Sequence, residues 1–159
     1  MRILFVCTGN ICRSPTAEGV FRAHLLKNAL QDKVTTDSAG TQDFHAGAPP
    51  DRRAIAHASA RGYDISGLRA RQLRQEDFAA FDLVLAMDRG HLAFMRRMCA
   101  PQYLGRLKLY LDFAGMKDAD VPDPYYGAAR GFEQVLDMVE AASRGLIDHV
   151  RGHLLCVST

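Results

Sequence analysis

Tryptophan is absent from this chain, cysteine occurs only four times in 159 residues, and no charge sign dominates. No apolar run approaches the roughly 20 residues that cross a bilayer. Each scarcity excludes something. Cys7 and Cys12 share one short segment, while Cys99 and Cys156 stand apart. That is too sparse for a disulfide scaffold. It is also a poor zinc pattern, because structural zinc wants closely spaced ligand pairs in two places. No metal and no cofactor are therefore expected. Twenty basic residues against 18 acidic ones leave a net charge of +2, too even to argue for a nucleic-acid or membrane partner. No basic segment precedes an apolar signal core, since the first apolar run starts at Ile3 and stops at Cys7. The expectation is a cytoplasmic protein, monomeric or weakly dimeric. Without repeats, low-complexity tracts or linkers, residues 1–159 read as one domain.

What is present is an alternation of strand-like and helix-like segments. Ile3–Val6, Val34–Ala39, Asp82–Ala86 and Leu107–Leu111 read as short strands. Helices are expected from Pro15 to Leu30, from Arg52 to Arg61 with Asp51 as cap and Gly62 as stop, and from Asp88 to about Met98. A last helix carries Phe132, Val135, Leu136, Val139, Leu146, Val150 and Leu154 mostly at three- and four-residue steps. Such a pattern implies an α/β fold with a parallel sheet covered on both faces. Ligands of such sheets sit at the carboxyl ends of strands, near a switch in strand order.

The segment at that position on the first strand is Cys7-Thr8-Gly9-Asn10-Ile11-Cys12-Arg13-Ser14-Pro15. Ser14-Pro15 reads as a helix start, with Ser14 as the cap. A loop at a helix N-terminus gathers unpaired backbone N–H groups into an anion site. The same field favours a thiolate over a thiol at Cys7. Gly9 lets the chain turn tightly. Arg13 offers a planar fork for two phosphate oxygens and positive charge for the transition state. Ser14 has a hydroxyl for the sulfur, and Asn10 an amide to brace the loop backbone. Together these features suggest covalent phosphoryl transfer.

Attack by sulfur needs a proton donor for the leaving oxygen. Asp118, Asp120 and Asp123 lie in one loop. Asp123 is distinguished by Pro124, which holds the preceding residue extended, and by Tyr125 and Tyr126, which supply flat walls. Asp118 and Asp120 read as solvated turn residues.

With the loop and Asp123-Pro124-Tyr125-Tyr126 in view, the chain resembles the low-molecular-weight protein tyrosine phosphatases. Ser38-Ala39-Gly40-Thr41, Arg61-Gly62-Tyr63-Asp64-Ile65 and Ala86-Met87-Asp88 extend the match over nearly the whole length. The resemblance implies a four-stranded parallel sheet with flavodoxin-like winding and a two-step mechanism. It makes Cys7 the nucleophile that becomes a phosphocysteine, Arg13 the phosphoryl ligand, and Asp123 the general acid and then base. It assigns phosphate contact to the loop from Thr8 to Cys12, and support to Asn10 and Ser14. Ile11, Tyr125 and Tyr126 line a slot for the substrate ring, and Phe44 stands at its rim. The substrates implied are phosphotyrosine proteins or peptides, with phosphate and other oxyanions also entering the loop. A protective Cys7–Cys12 disulfide is implied as well. Asp88 fits a family position behind the loop and equally fits a helix cap.

Related readings have sequence signatures. Thioredoxin-coupled arsenate reductases share the loop but need relay cysteines, and residues 69–88 hold none. Protein arginine phosphatases carry Thr where this chain has Ile11. A phosphotyrosine-binding module would lack Cys7 or Asp123. The six histidines (His24, His45, His57, His91, His149, His153) show no ligand spacing, and Arg69, Arg71 and Arg74 read as a solvated face.

Overall fold

A computed structural model describes residues 1–158. In chain order its elements are β1 (Arg2–Cys7), α1 (Arg13–Lys27), β2 (Thr35–Gly40), α2 (Arg52–Ala60), α3 (Asp77–Ala80), β3 (Leu83–Ala86), α4 (Arg89–Met98), β4 (Leu107–Leu109) and α5 (Ala129–Val157). Two 3₁₀ segments, Pro101–Arg106 and Tyr110–Ala114, flank β4. The four strands form one parallel sheet in the order β2-β1-β3-β4.

Alternation along β1 explains the layers. Ile3, Phe5 and Cys7 face a core shared with Val20 and Phe21 of α1 and Phe132, Val139 and Leu146 of α5. Leu4 and Val6 face the other way, onto Phe78 of α3 and Leu92 and Met95 of α4. A strand buried on both faces must be apolar throughout, and Ile3–Val6 is. Phe5 meets Phe21 and Tyr110 edge-on, at centroid distances of 5.8 and 5.1 Å. The Tyr110 hydroxyl keeps a partner in this core, 2.5 Å from Ser143 Oγ.

The strand order puts the switch point at the carboxyl end of β1. The chain leaves β1 for β2 on one side, then crosses to β3 on the other. Beyond the sheet the ladder continues into the loop: Thr41 N donates to Cys7 O (2.8 Å) and Gln42 N to Thr8 O (3.0 Å). Gly40 must be glycine here, because a Cβ would lie 2.5 Å from the Thr8 carbonyl oxygen.

Several boundaries differ from the sequence-based expectations. Helix α1 begins at Arg13, so Cys12 occupies the cap position and Ser14 does not. Pro15 is then the third helical residue, still within the turn that needs no intrahelical N–H. At its other end α1 stops at Lys27, and Ala29 is in the left-handed region (φ 56°). Strand β4 ends at Leu109 rather than Leu111, as Tyr110 turns inward. The caps at Asp51 and Asp88 form as expected, accepting from Arg53 N and His91 N. Gly62 takes the left-handed conformation after α2 (φ 87°). Among the described residues, no helix is long and apolar enough to cross a membrane.

Candidate active site

Cys7 ends β1 and Arg13 opens α1, so the five residues between them wrap the helix N-terminus. The residue that makes the turn is Asn10, not Gly9: Asn10 has φ 58° and is buried. A left-handed non-glycine costs roughly 1 kcal/mol, and three hydrogen bonds offset it. Asn10 Nδ2 donates to Ser14 Oγ (2.7 Å) and to Ser38 Oγ (2.9 Å), and Oδ1 accepts from Arg71 N (3.0 Å). These partners fix which end of the amide is oxygen. The bracing thus runs mainly to side chains. Gly9 serves a different purpose: a Cβ there would meet the His45 ring at 3.0 Å.

The network has a direction. Ser38 donates to the buried Glu18 carboxylate (2.8 Å), so its oxygen is free to accept from Asn10. Burial raises the Glu18 pKa. Ser14 likewise accepts from Asn10, and of the two acceptors left for its own proton, Cys7 Sγ at 3.0 Å is nearer than the Ala39 carbonyl at 3.5 Å. Released from capping, Ser14 becomes the donor to the sulfur. Cys12 lies on the same loop in a different setting. Burial, reinforced by the carboxylate of Asp51, pushes its thiol up to about 12, so it stays protonated.

Arg13 is nearly buried and fixed from behind. Its NH1 donates to Asp88 Oδ2 (2.8 Å) and to the carbonyl of Val121 (3.1 Å). Its NH2 lies 3.5 Å from each of Thr8 Oγ1, His91 Nε2 and Asp123 Oδ2. Asp88 therefore fills both roles its sequence allowed, capping α4 and holding Arg13. Val121 N in turn donates to Met87 O (2.9 Å), tying the acid loop to the end of β3.

Asp123 lies between Pro122 and Pro124, and its Oδ1 accepts from Tyr125 N (3.0 Å). Its side chain is 42% exposed, so water reaches it. Arg53, bound to Asp51, donates to the Tyr125 carbonyl (2.9 Å) and steadies this segment from α2. One pocket collects Cys7, Thr8, Gly9, Ile11, Cys12, Arg13, Phe44, His45, Asp123, Tyr125 and Tyr126. Ile11 and the aromatic side chains form its walls. Tyr125 and Tyr126 meet edge-on at 4.8 Å, and Phe44 and Tyr126 are largely exposed at the rim.

The sequence profile described as "Low molecular weight phosphotyrosine protein phosphatase" matches residues 2–154. The chain belongs to this family. It is similar to the low molecular weight protein-tyrosine-phosphatase of Streptomyces coelicolor, with 47% identity over 94% of this chain and 93% of the relative. It is also similar to a protein tyrosine phosphatase of Entamoeba histolytica solved with Hepes in its active site. That match has TM-score 0.92 and 38% identity, and covers 96% of this chain and 98% of that one. Vibrio vulnificus Wzb, solved in complex with benzylphosphonate, matches with TM-score 0.82 and 30% identity over 93% and 97% of the chains. The chain is thus a hydrolase of the tyrosine phosphatase class.

For a phosphatase of this family, the residues read from the sequence divide in two. Ten of the twelve line the pocket, whereas the side chains of Asn10 and Ser14 lie beneath the loop and are buried. Two readings need correction. Asp120 is not a free turn residue, because it accepts from Arg89 N and pairs with the Arg89 guanidinium (3.0 Å). Arg71 is not a solvated arginine, because it pairs with Asp77 (2.9 Å) and Asp37 (3.0 Å). Two histidines also reach the site, although the sequence shows no ligand spacing for them. His45 lines the pocket beside Gly9 and Tyr125. His91 is buried, with Nε2 2.8 Å from Thr8 Oγ1. No spacing rule finds His91, since it reaches the loop only through the pairing of β3 with β1.

Proposed function

We propose that the protein hydrolyses phosphotyrosine through a phosphocysteine on Cys7, without a metal. The observation that carries this reading is the directed chain from Asn10 through Ser14 to the Cys7 sulfur, which supplies a hydrogen bond to a thiolate. The phosphoryl group sits against the loop amides and the NH2 side of Arg13. Sulfur attacks phosphorus, forming the S–P bond as the bond to the phenol oxygen breaks. Asp123 gives its proton to that departing oxygen. Water then attacks phosphorus, Asp123 takes its proton, the S–P bond breaks, and phosphate and the Cys7 thiolate are released. Loop amides and Arg13 stabilise the charge spreading over the equatorial oxygens in both steps.

Ile11, Phe44, Tyr125 and Tyr126 favour an aromatic leaving group. Benzylphosphonate in the Vibrio vulnificus relative, a phosphorus oxyanion joined to a phenyl ring, has the chemistry such walls accept. An apolar Ile11 suits that ring better than a charged guanidinium. Steady-state hydrolysis of phosphotyrosine, phosphoserine and phosphoarginine peptides, in chelator, tests the reading on wild type and Cys7→Ser. Rapid phosphotyrosine turnover lost in Cys7→Ser is expected. Preference for phosphoarginine would keep the mechanism and overturn the assignment of the walls. Turnover that needs metal or survives in Cys7→Ser would overturn the mechanism.

A further inference from the structure

One buried group faces the anion loop from behind and takes no part in the mechanism above. His91 lies in the first turn of α4 and is 5% exposed. Its Nε2 is 2.8 Å from Thr8 Oγ1 and 3.5 Å from Arg13 NH2. A guanidinium has only donors, so a nitrogen facing it offers a lone pair. The Thr8 hydroxyl then donates to Nε2, and its own oxygen is left to accept from Arg13 NH2 (3.5 Å).

The other ring nitrogen fits the same assignment. Nδ1 is 3.1 Å from Asp88 Oδ1 but makes no hydrogen bond there, and that oxygen accepts from the His91 backbone N–H (2.8 Å). A proton on Nδ1 meets a carboxylate, whereas a proton on Nε2 meets a cation. The charged and titratable groups around the ring are Arg13 from α1, Asp88 from the cap of α4, and Asp120 and Asp123 from the acid loop. Burial, with Arg13 next, outweighs the three carboxylates and keeps the ring uncharged at neutral pH.

We infer that His91 is a positioning residue of the anion site, holding Thr8 and Arg13 in register as a neutral hydrogen-bond acceptor at Nε2. With NH1 held by Asp88 and Val121, and NH2 facing Thr8 and His91, the guanidinium plane is defined from both ends. The inference rests on the phosphate-binding reading of the loop but not on turnover.

Sulfate is the probe, since its charge does not change across the pH range where a histidine titrates. Its binding is measured by calorimetry on wild type, His91→Phe, His91→Gln, Thr8→Val and the double variant Thr8→Val/His91→Phe. Loss of the acceptor in His91→Phe should weaken sulfate about tenfold, and His91→Gln should recover most of it. The double variant should lose less than the sum of the two single losses, because both remove one contact. Nitrogen chemical shifts of the wild-type ring should show the proton on Nδ1 at pH 7, a result that does not depend on any variant folding. A proton on Nε2, or undiminished sulfate binding by His91→Phe, would overturn the positioning role alone. Failure of the wild type to bind sulfate at all would overturn the anion-site reading beneath it.

Discussion

Two thiols five positions apart on one loop sit in different surroundings. Cys7 receives the Ser14 hydroxyl, whereas Cys12 is buried beside the carboxylate of Asp51 and remains a thiol. Asp123 is as sharply placed, between two prolines with one oxygen held by Tyr125 N. Asp123→Asn should lower kcat on a phosphotyrosine peptide by about 10²–10⁴-fold, the usual worth of a positioned acid or base. Its loss should be smaller on an aryl phosphate whose leaving group needs no proton; comparing the two substrates in steady state checks this. His91 gives a pH prediction at the same scale. Its pKa is lowered from 6.5 to about 4, chiefly by burial and then by Arg13. The unfolded chain therefore binds the proton more readily than the folded one. The stability this contributes is whole above pH 6.5 and drains as pH falls through about 4. Urea unfolding across that window should show a smaller acid loss in His91→Gln than in wild type.

Elements carry these residues into place, and the joints between elements are where the fold is least forgiving. Gly40 ends β2 against the Thr8 carbonyl, and its own N–H and C=O pair with Arg71 and Leu73. Gly40→Ala must push the Thr8 carbonyl away and so displace the loop backbone. The expected result is a large loss of kcat/KM with a modest fall in Tm, read from kinetics and thermal unfolding together. The segment that brings Arg71 to Asn10 depends on Asp77, which is buried and bonds both the Arg71 guanidinium and Arg74 N. Removing one partner of such a pair leaves a poorly hydrated charge. Asp77→Ala should therefore cost about 3 kcal/mol of unfolding free energy, with Asp37 retaining part of the hold on Arg71. Denaturant titration measures it.

Across the whole molecule, what was legible in the sequence divides by range. The succession of strand, loop and helix at the start of the chain is a local pattern, and it recurs as β1, the Cys7–Arg13 loop and α1; the Asp123 segment is local too, and it lines the same pocket. The caps at Asp51 and Asp88 and the stop at Gly62 were legible for the same reason. The start of α1 was not. Ser14 has the chemistry of a cap, yet the sulfur and Asn10 claim its hydroxyl, and no local rule weighs those competitors. Residues that act at the loop from far along the chain were also invisible. His91, Arg71 and Val121 arrive there only because β3 pairs with β1 and residues 71–73 dock on Gly40. Arg71 read as part of a solvated face, His91 showed no ligand spacing, and Val121 acts through its backbone carbonyl, which no side-chain pattern records.

If phosphoryl passes through the Cys7 sulfur, the intermediate can be trapped. The direct test is rapid quenching of Asp123→Asn during turnover of an activated aryl phosphate, followed by peptide mass spectrometry. That substrate reacts without an acid in the first step, while loss of the base slows hydrolysis, so the intermediate accumulates. A phosphoryl group is expected on the peptide bearing Cys7, and none in the Cys7→Ser/Asp123→Asn protein. Sustained turnover with no phosphorylated peptide, or with the label on another side chain, would contradict it.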